Sequence, residues 1–567
     1  MYSFSGKNWE ETSVNKRVLE KVKLDNNYSE LVSKLVLSRG FQKSELDSIT
    51  DDINIYNPFL KEKDFIKTAK ILDNAISKNE KIIIYGDYDV DGCVSVSLFI
   101  NFFKKISKNV DFFIPDRIND GYGANLITVK KVLIKNPDLI VFLDCGSNSN
   151  LAIDYLNKKN VKSIVIDHHE IYKPYVKSNS LINPKKNCDY NEFSYFSAST
   201  LTYFFLDFFI IYKKLNFSFS HNLFYVLLSI VSDVMPLRKI NRDIAIKVLN
   251  NFDINKNFLI KKIFEEKKIK KPLEIDDLAF LIIPVLNSAG RIGNPRKVVH
   301  LLTTNDLVTK EKIIKDLLLL NEKRKIIENN TLIKIDLNII SKKNKEVLVI
   351  YDKFFHEGII GIIASKLKEY FGKPCVVLTK SNKVYKASAR SNLDFNIGLY
   401  IKRAIDLGII TNGGGHNLAA GFTINENKID IFDKFINSMY MRNSKTHKNI
   451  FLSKISLSAI NNRFLADISK TGPFGSSNPY PIFLLENVRI IKPKILKKKY
   501  VYFFIKSKSS QLIKAISFNL ISSNLSKNLL NNKNSMDVIV QIKENLWNNK
   551  KNINVIVLDA IQTSNKA

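Results

Sequence analysis

KIIIYGDYDVDG (81–92) decides the reading of the fold. Four apolar residues, Ile82 to Tyr85, run straight into a glycine and three alternating aspartates, Asp87, Asp89 and Asp91. The pattern then repeats: DFFIPD (111–116), DLIVFLD (138–144) and SIVIDHH (163–169) are short apolar runs between helical stretches. Runs of this length flanked by helices predict buried parallel strands joined by crossovers. Each run ends in polar residues, aspartate above all. In an open parallel sheet, ligands bind beyond the carboxyl ends of the strands, so these acidic residues are expected on one edge.

Around this unit lies a chain of 567 residues, long enough for three or four domains. Hydrophobic residues make up 45% and charged residues 25%, which excludes a disordered or fibrous chain. The net charge is +32, from 87 Lys+Arg against 55 Asp+Glu. Such an excess favours a polyanion such as nucleic acid or an anionic membrane. The chain is also rich in Lys, Asn and Ile, as a coding sequence biased toward A and T would make it, so charge alone does not choose a partner. The four cysteines (Cys93, Cys145, Cys188, Cys375) form no CxxC pair and suit neither a disulfide scaffold nor a zinc cluster. MYSFSGKNWEETSVNKR (1–17) has no apolar core of a secretory signal. The most apolar stretch, Leu201 to Tyr212, is too short to span a bilayer and is interrupted by Asp207. A cytoplasmic protein with no membrane contact is expected.

The predicted class is α/β, divided as follows. Residues 1–45 form a peripheral helical arm and 46–295 the parallel-sheet unit. No Gly or Pro occurs from Arg296 to Glu357, so 296–340 reads as a long connecting helix, or two stacked ones. A smaller α/β unit follows over 341–445, with strands at VLVIYD (347–352), PCVVLT (374–379) and VYKASARS (384–391). Over 446–567 the pattern is of strands alone, as in a small OB-type barrel.

Carboxylates as close as Asp87, Asp89 and Asp91 repel unless cations neutralise them. Asp144 ends a buried run. Asp167 precedes two adjacent histidines, His168 and His169, in a chain with seven; neighbours on an extended segment point apart, so one can bind metal while the other faces substrate. Asp167 then orients a ring. Asp233, in LFYVLLSIVSDVMPL, falls at a helix end, where a carboxylate opposes the dipole unless a cation compensates. Oxygen and nitrogen donors without thiolate suit Mn²⁺ or Mg²⁺, and two such ions suit phosphoester displacement. Each element alone also has a bland reading as a turn, a helix cap or a solvated carboxylate.

A second set of residues suits an anion. In TNGGGHNLAAGF (411–422), Gly414, Gly415 and His416 predict a loop whose N–H groups face an anion, with a close helix start at Ala419–Gly421. Ser388 and Arg390 share a strand face in SARS. HEGIIGIIASKL begins at His356 and runs into a tightly packed, small-residue helix expected from about 358 to 371. NSAGRIGNP places Arg291 in a glycine-rich loop, and Arg suits bidentate phosphate contact.

In order, GDYDVDG, the Asp of FLDCGS, DHH and SDVMPL resemble the DHH phosphoesterase superfamily, and GGGHNLAAGF resembles its DHHA1 domain. NSAGRIGNP, HEGIIGIIASKL and SARS narrow the likeness to the RecJ exonucleases. The resemblance implies single-strand-specific 5′→3′ DNA hydrolysis by two metal ions, Mn²⁺ or Mg²⁺, in recombination and repair. It implies metal ligation by Asp89, Asp91, Asp144, His168 and Asp233, with His169 close by, and Asp87 and Asp167 supporting. It implies 5′-end contacts from Arg291, Ser388 and Arg390, phosphate contact from His416, and a further DNA contact from Arg117. Implied partners are single-stranded DNA with a 5′ end, a helicase and a single-strand-binding protein, and the protein is expected to be a monomer. Two departures stand out: Tyr85 sits where many superfamily members carry a ligating His, and Ser477 in GPFGSSNPYP (472–481) replaces a family glycine. Alternatives are a phosphodiesterase for short oligonucleotides or cyclic dinucleotides, and a non-catalytic DNA-binding scaffold.

Overall fold

A short strand, β1 (Trp9–Glu11), finds its partner more than 400 residues away; the central sheet begins at β2 (Ile82–Gly86). With β3 (Asp111–Phe113), β4 (Leu139–Leu143), β5 (Lys162–Ile166) and β6 (Ser180–Ile182), it forms a five-stranded parallel sheet in the order β3-β2-β4-β5-β6. Every residue of β2 and β4 is buried, which is why these runs are apolar without alternation. Alternate residues feed two cores. Ile82, Ile84 and Val141 meet the helices Val90–Lys105 and Ala198–Tyr212, while Ile83, Tyr85 and Phe142 meet Leu126–Leu133 and Asn150–Lys158. The apolar stretch at 201–212 thus lies inside a buried helix. In this computed structural model, residues 3–562 are described except 51–52, 107, 109, 122, 187–188, 338–339, 341–344, 442–448, 497–499, 508–511, 519–522, 532–533 and 548–549. Cys188 lies outside them; Cys93, Cys145 and Cys375 are buried free thiols.

The connecting region contains the helices Arg296–Thr303 and Leu307–Lys334, broken where Asp306 caps the second through Val308 N and Thr309 N. The second sheet contains β7 (Leu348–Tyr351), β8 (Cys375–Ser381), β9 (Val384–Arg390), β10 (Asn412–His416) and β11 (Ala419–Ile424), ordered β10-β11-β9-β8-β7, parallel only between β7 and β8. After β12 (Asn449–Phe451), the strands β13 (Ser453–Ile455), β14 (Ile482–Leu496), β15 (Tyr500–Lys506), β16 (Leu512–Ser517), β17 (Met536–Trp547) and β18 (Lys550–Gln562) form a sheet that closes on itself through β14–β17.

The following expectations are corrected. The glycine triplet is not a loop leading to a helix. It is strand β10, paired antiparallel with β11, where a Cβ on Gly413 or Gly415 would stand 2.5 Å or less from its hairpin partners. NSAGRI is not a loop but the end of the helix Ile283–Ile292. The barrel region is not strands alone, since the helices Asn462–Ser469 and Asn524–Asn531 lie between them. Nor is the N-terminal arm peripheral: β1 pairs with β12, and Leu35 joins the core of the barrel.

Candidate metal centre and anion pocket

The carboxyl ends of the strands deliver the carboxylates. Past Gly86, Asp89 caps the helix Val90–Lys105 by accepting from Gly92 N at 3.1 Å. A Cβ on Gly92 would lie 2.4 Å from Asp87 O, so the turn closes only with glycine. Asp144 follows β4 with φ +60°, a strained conformation of the kind that collects at functional sites. Asp167 follows β5, and Asp233 is the C-cap of the helix Leu223–Ser232. Donor atoms within 4.8 Å of one another form three sets: Asp87, Asp89 and Asp144; Asp91, His168 and Asp233; Asp144, His168 and His169. His168 Nε2 lies 3.3 Å from Asp144, 3.4 Å from Asp233 and 3.7 Å from Asp91. Asp87, read from the sequence as supporting, is within ligand reach.

The electrostatics report the strain of this gathering. Burial and the Asp91, Asp89, Asp87 and Asp233 carboxylates push the Asp144 carboxyl well above its usual range. Burial and Asp89 push Asp87 up to about 7, and burial with Asp91 raises Asp89 and Asp233. Burial and the charge of His169 bring His168 down to about 3, leaving a neutral ring with a free lone pair. Among the described residues, Asp144 Oδ1 and both His168 ring nitrogens are buried without a hydrogen bond. Orphaned buried polar atoms are rare and costly, and a divalent cation satisfies these. Burial raises the thiols of Cys93 and Cys145 behind the loop, so the donors remain oxygen and nitrogen. The residues fit one or two hard cations.

Asp167 was read from the sequence as orienting a histidine ring; the rest of the supporting layer was not legible there. Asp91 Oδ1 accepts from Ser199 N (2.8 Å), Ser199 Oγ (2.5 Å) and Ser229 Oγ, while Oδ2 accepts from Ala198 N (2.9 Å) and faces His168. Asp167 accepts from Ser147 N (3.0 Å) and pairs with His169 Nδ1 (2.7 Å). Against its burial, Asp167 raises His169 to about 9. Buried Asn183 donates to Ser147 Oγ and His169 O. The hydroxyl-rich SAST (197–200) at a helix start was the available signal.

Beside the metal loop stands a cationic pocket. The Arg117 guanidinium lies 5.1 Å from the centre of the Tyr88 ring. Burial together with Arg117, Arg390 and Arg324 brings Arg291 down to about 10, and burial with Arg117 lowers Arg390. Arg324 has Glu328 at 2.9 Å; among the described residues Arg117, Arg291 and Arg390 form no ion pair. Arg390 Nη1 donates to Ser388 Oγ (3.1 Å) and Arg291 Nη1 to Gly358 O (3.3 Å). Gly361 leaves room for both Ser388 and Arg390, since a Cβ there would sit 3.0 and 3.2 Å from them. His356, lowered by burial, also feels Arg117. Gathered guanidinium groups without counter-charge suit a phosphate. Gly414, Gly415 and His416 lie on the β10 hairpin, where His416 Nδ1 is 3.7 Å from Glu170 of the first unit and burial, with Lys185 and His169, lowers the His416 ring.

The barrel carries one further feature missed in sequence. On β15, Val501, Phe503 and Ile505 point into the core, and Tyr500, Tyr502 and Phe504 point out. Lys494 lies over Tyr502 (5.4 Å), Lys514 pairs opposite Phe504, and Phe518, 59% exposed, meets Tyr500. Nine Lys or Arg and no Asp or Glu occur from Arg489 to Phe518. The alternation in YVYFF was the signal.

Family models match three regions: the DHH family N-terminal domain at 81–229, the DHHA1 domain at 344–441 and the RecJ OB domain at 453–559. The chain belongs to the RecJ family of DHH proteins. It is 28% identical over 497 residues to the single-stranded-DNA-specific exonuclease RecJ of Bacillus subtilis (strain 168), covering 85% of this chain and 62% of that one. It is 26% identical over 426 residues to the Escherichia coli (strain K12) exonuclease of the same name, covering 71% and 73%. The crystal structure of Thermus thermophilus RecJ in complex with Mn²⁺ superposes with a TM-score of 0.82 at 20% identity, over 98% of this chain and 80% of that one. The chain therefore spans about three fifths of the Bacillus relative's length.

Proposed function

We propose that this protein is a metal-dependent exonuclease that digests single-stranded DNA from its 5′ end and releases 5′-mononucleotides, in recombination and repair. The observation that carries the reading is the meeting of buried, unsatisfied Asp144 and His168 atoms with the carboxylates of the Asp87–Asp91 loop and Asp233, donors from four chain segments in all, beside arginines that lack a counter-charge. Asp87, Asp89, Asp91, Asp144, His168 and Asp233 would hold two divalent cations, Mn²⁺ or Mg²⁺. Bound there, the cations supply electrophilic charge at the phosphoryl group and lower the pKa of the attacking water.

The chain's own residues do the rest. Asp167 keeps the His169 ring protonated near neutral pH at the edge of the cluster, where it can offer a hydrogen bond to a phosphate oxygen. Arg117, Arg291 and Arg390, with Ser388 and His356, hold the terminal phosphate. Fixing that end beside the carboxylates sets one nucleotide as the step. His416 contacts a phosphate further along. The aromatic face of β15 stacks bases without choosing among them, as sequence-tolerant single-strand binding requires. Under this reading the enzyme acts as a cytoplasmic monomer on strands opened by a helicase and coated by a single-strand-binding protein. No helix among the described residues is long and apolar enough to cross a membrane.

The test is digestion of 5′- and 3′-labelled oligonucleotides, single- and double-stranded, with Mn²⁺, Mg²⁺ or chelator. Mononucleotides from the 5′ end of single strands alone, abolished by chelator, are expected. Faster turnover of a dinucleotide than of a long strand would favour a short-oligonucleotide phosphodiesterase, a reading the aromatic, basic barrel face argues against.

A further inference from the structure

The helix Ile283–Ile292 lays one face against the metal loop. Asn287, Gly290 and Arg291 stand at i, i+3 and i+4, so they share that face. Asn287 Oδ1 accepts from Val90 N at 3.2 Å, and its Nδ2 donates to Ser232 Oγ at 3.2 Å. Val90 lies between Asp89 and Asp91, and Ser232 immediately precedes Asp233. A Cβ on Gly290 would lie 2.2 Å from Tyr88 O, so the helix backbone rests directly on the Asp87–Tyr88–Asp89 turn. Arg291, the next residue, enters the anion pocket.

We infer that Asn287 is a positioning residue that fixes the distance between the two halves of the metal centre. One half, the loop with Asp87, Asp89 and Asp91, follows β2; the other, Asp233, ends a helix some 140 residues later in the chain. Ser229 of the Asp233 helix donates directly to Asp91, and Asn287 adds a second link, bonding both segments from a third. The chemistry selects the residue type. Val90 N is a first-turn amide without an intrahelical acceptor, and the Ser232 hydroxyl can accept. A carboxamide offers the acceptor and the donor at once without adding charge beside the carboxylates. An alanine removes both bonds, and a leucine of similar size fills the space without either.

The inference rests on the proposed metal centre but not on the nuclease reading, because its primary readout is metal binding. The experiment titrates the full chain with Mn²⁺ by calorimetry, without DNA, for wild type, Asn287→Ala, Asn287→Leu, Ser232→Ala and the Asn287→Ala/Ser232→Ala pair. Asn287→Ala and Asn287→Leu are expected to weaken Mn²⁺ binding by about 10–100-fold, the usual effect of losing a group that orients ligands. The melting temperature of the metal-free protein is expected to change little. Ser232→Ala is expected to show part of the loss, and the pair no more than Asn287→Ala alone. Arg390→Ala serves as the contrast, keeping Mn²⁺ affinity while losing 5′-phosphate preference. Wild-type Mn²⁺ affinity in Asn287→Ala and Asn287→Leu would overturn the inference, as would additive losses in the pair. Should wild type bind Mn²⁺ but cleave no DNA, the nuclease reading fails while the Asn287 inference is still decided by the titrations.

Discussion

Replacing Gly358 by alanine prises apart the seam between the two α/β units. Gly358 is buried, and a Cβ built on it would stand 2.0 Å from the Arg291 carbonyl oxygen and 2.8 Å from its carbon. Both are backbone atoms and cannot rotate away. Close carbon–oxygen contacts settle at about 3.3 Å, so the two backbones must part by about 1.3 Å. The bond from Arg291 Nη1 to Gly358 O, already 3.3 Å, is lost, and Ser388 and Arg390 shift away from Arg291 together. A misplacement of about 1 Å in a positioned substrate costs on the order of 10²-fold in rate, about 2.7 kcal/mol of transition-state stabilisation. The assay is kcat/KM on a 5′-phosphorylated single strand, alongside Mn²⁺ titration and circular dichroism. A drop of about 10²-fold, with metal affinity and secondary structure kept, is expected. Activity within about threefold of wild type would refute the argument that this seam sets the geometry of the pocket.

Asp144→Asn removes the carboxylate common to two of the ligand sets and is expected to lower cleavage by at least about 10³-fold, about 4 kcal/mol, measured under single-turnover conditions. Asp87 carries a folded pKa of about 7, above its ordinary 3.8, so its contribution to stability is full below pH ~4 and lost as pH rises through about 7. Mn²⁺ is therefore expected to raise the melting temperature more at pH 8 than at pH 5.5, and equal rises in scanning fluorimetry would contradict this. Ser477 adopts φ +57°, so Ser477→Gly is expected to stabilise the barrel by about 0.5–1 kcal/mol in urea unfolding. Tyr502→Ala is expected to weaken binding to a long single strand by about 1–3 kcal/mol in fluorescence anisotropy while leaving cleavage of a dinucleotide unchanged.

The parallel sheet was legible because its strands are buried on both faces, so their sequences are unbroken apolar runs with aspartates where the chain emerges. The same logic located Asp144, Asp167, His168 and His169. It could not say which carboxylates meet, and Asp87 came within ligand reach because Gly92 lets the turn close tightly. Asn287 and Gly290 were misread as loop because both disfavour helices. Their place is set by what they touch, the Val90 amide and the Tyr88 carbonyl, and no local pattern records that. Glycines have no side-chain periodicity, so β10 read as an anion loop. β6 is three residues long and was missed. The N-terminal arm was illegible for a different reason, since its pairing partner is remote in the chain.

That pairing bears on how the molecule is made. Trp9 lies beside Asn449 in the β1–β12 register, and its indole N–H reaches Asp559. At roughly 5–20 residues per second on the ribosome, β1 waits on the order of half a minute for its mate. Until then its edge is open to other chains, and the catalytic sheet can form long before the arm has anywhere to dock. Nascent fragments cut short before residue 449 should therefore recruit chaperones through their first fifty residues.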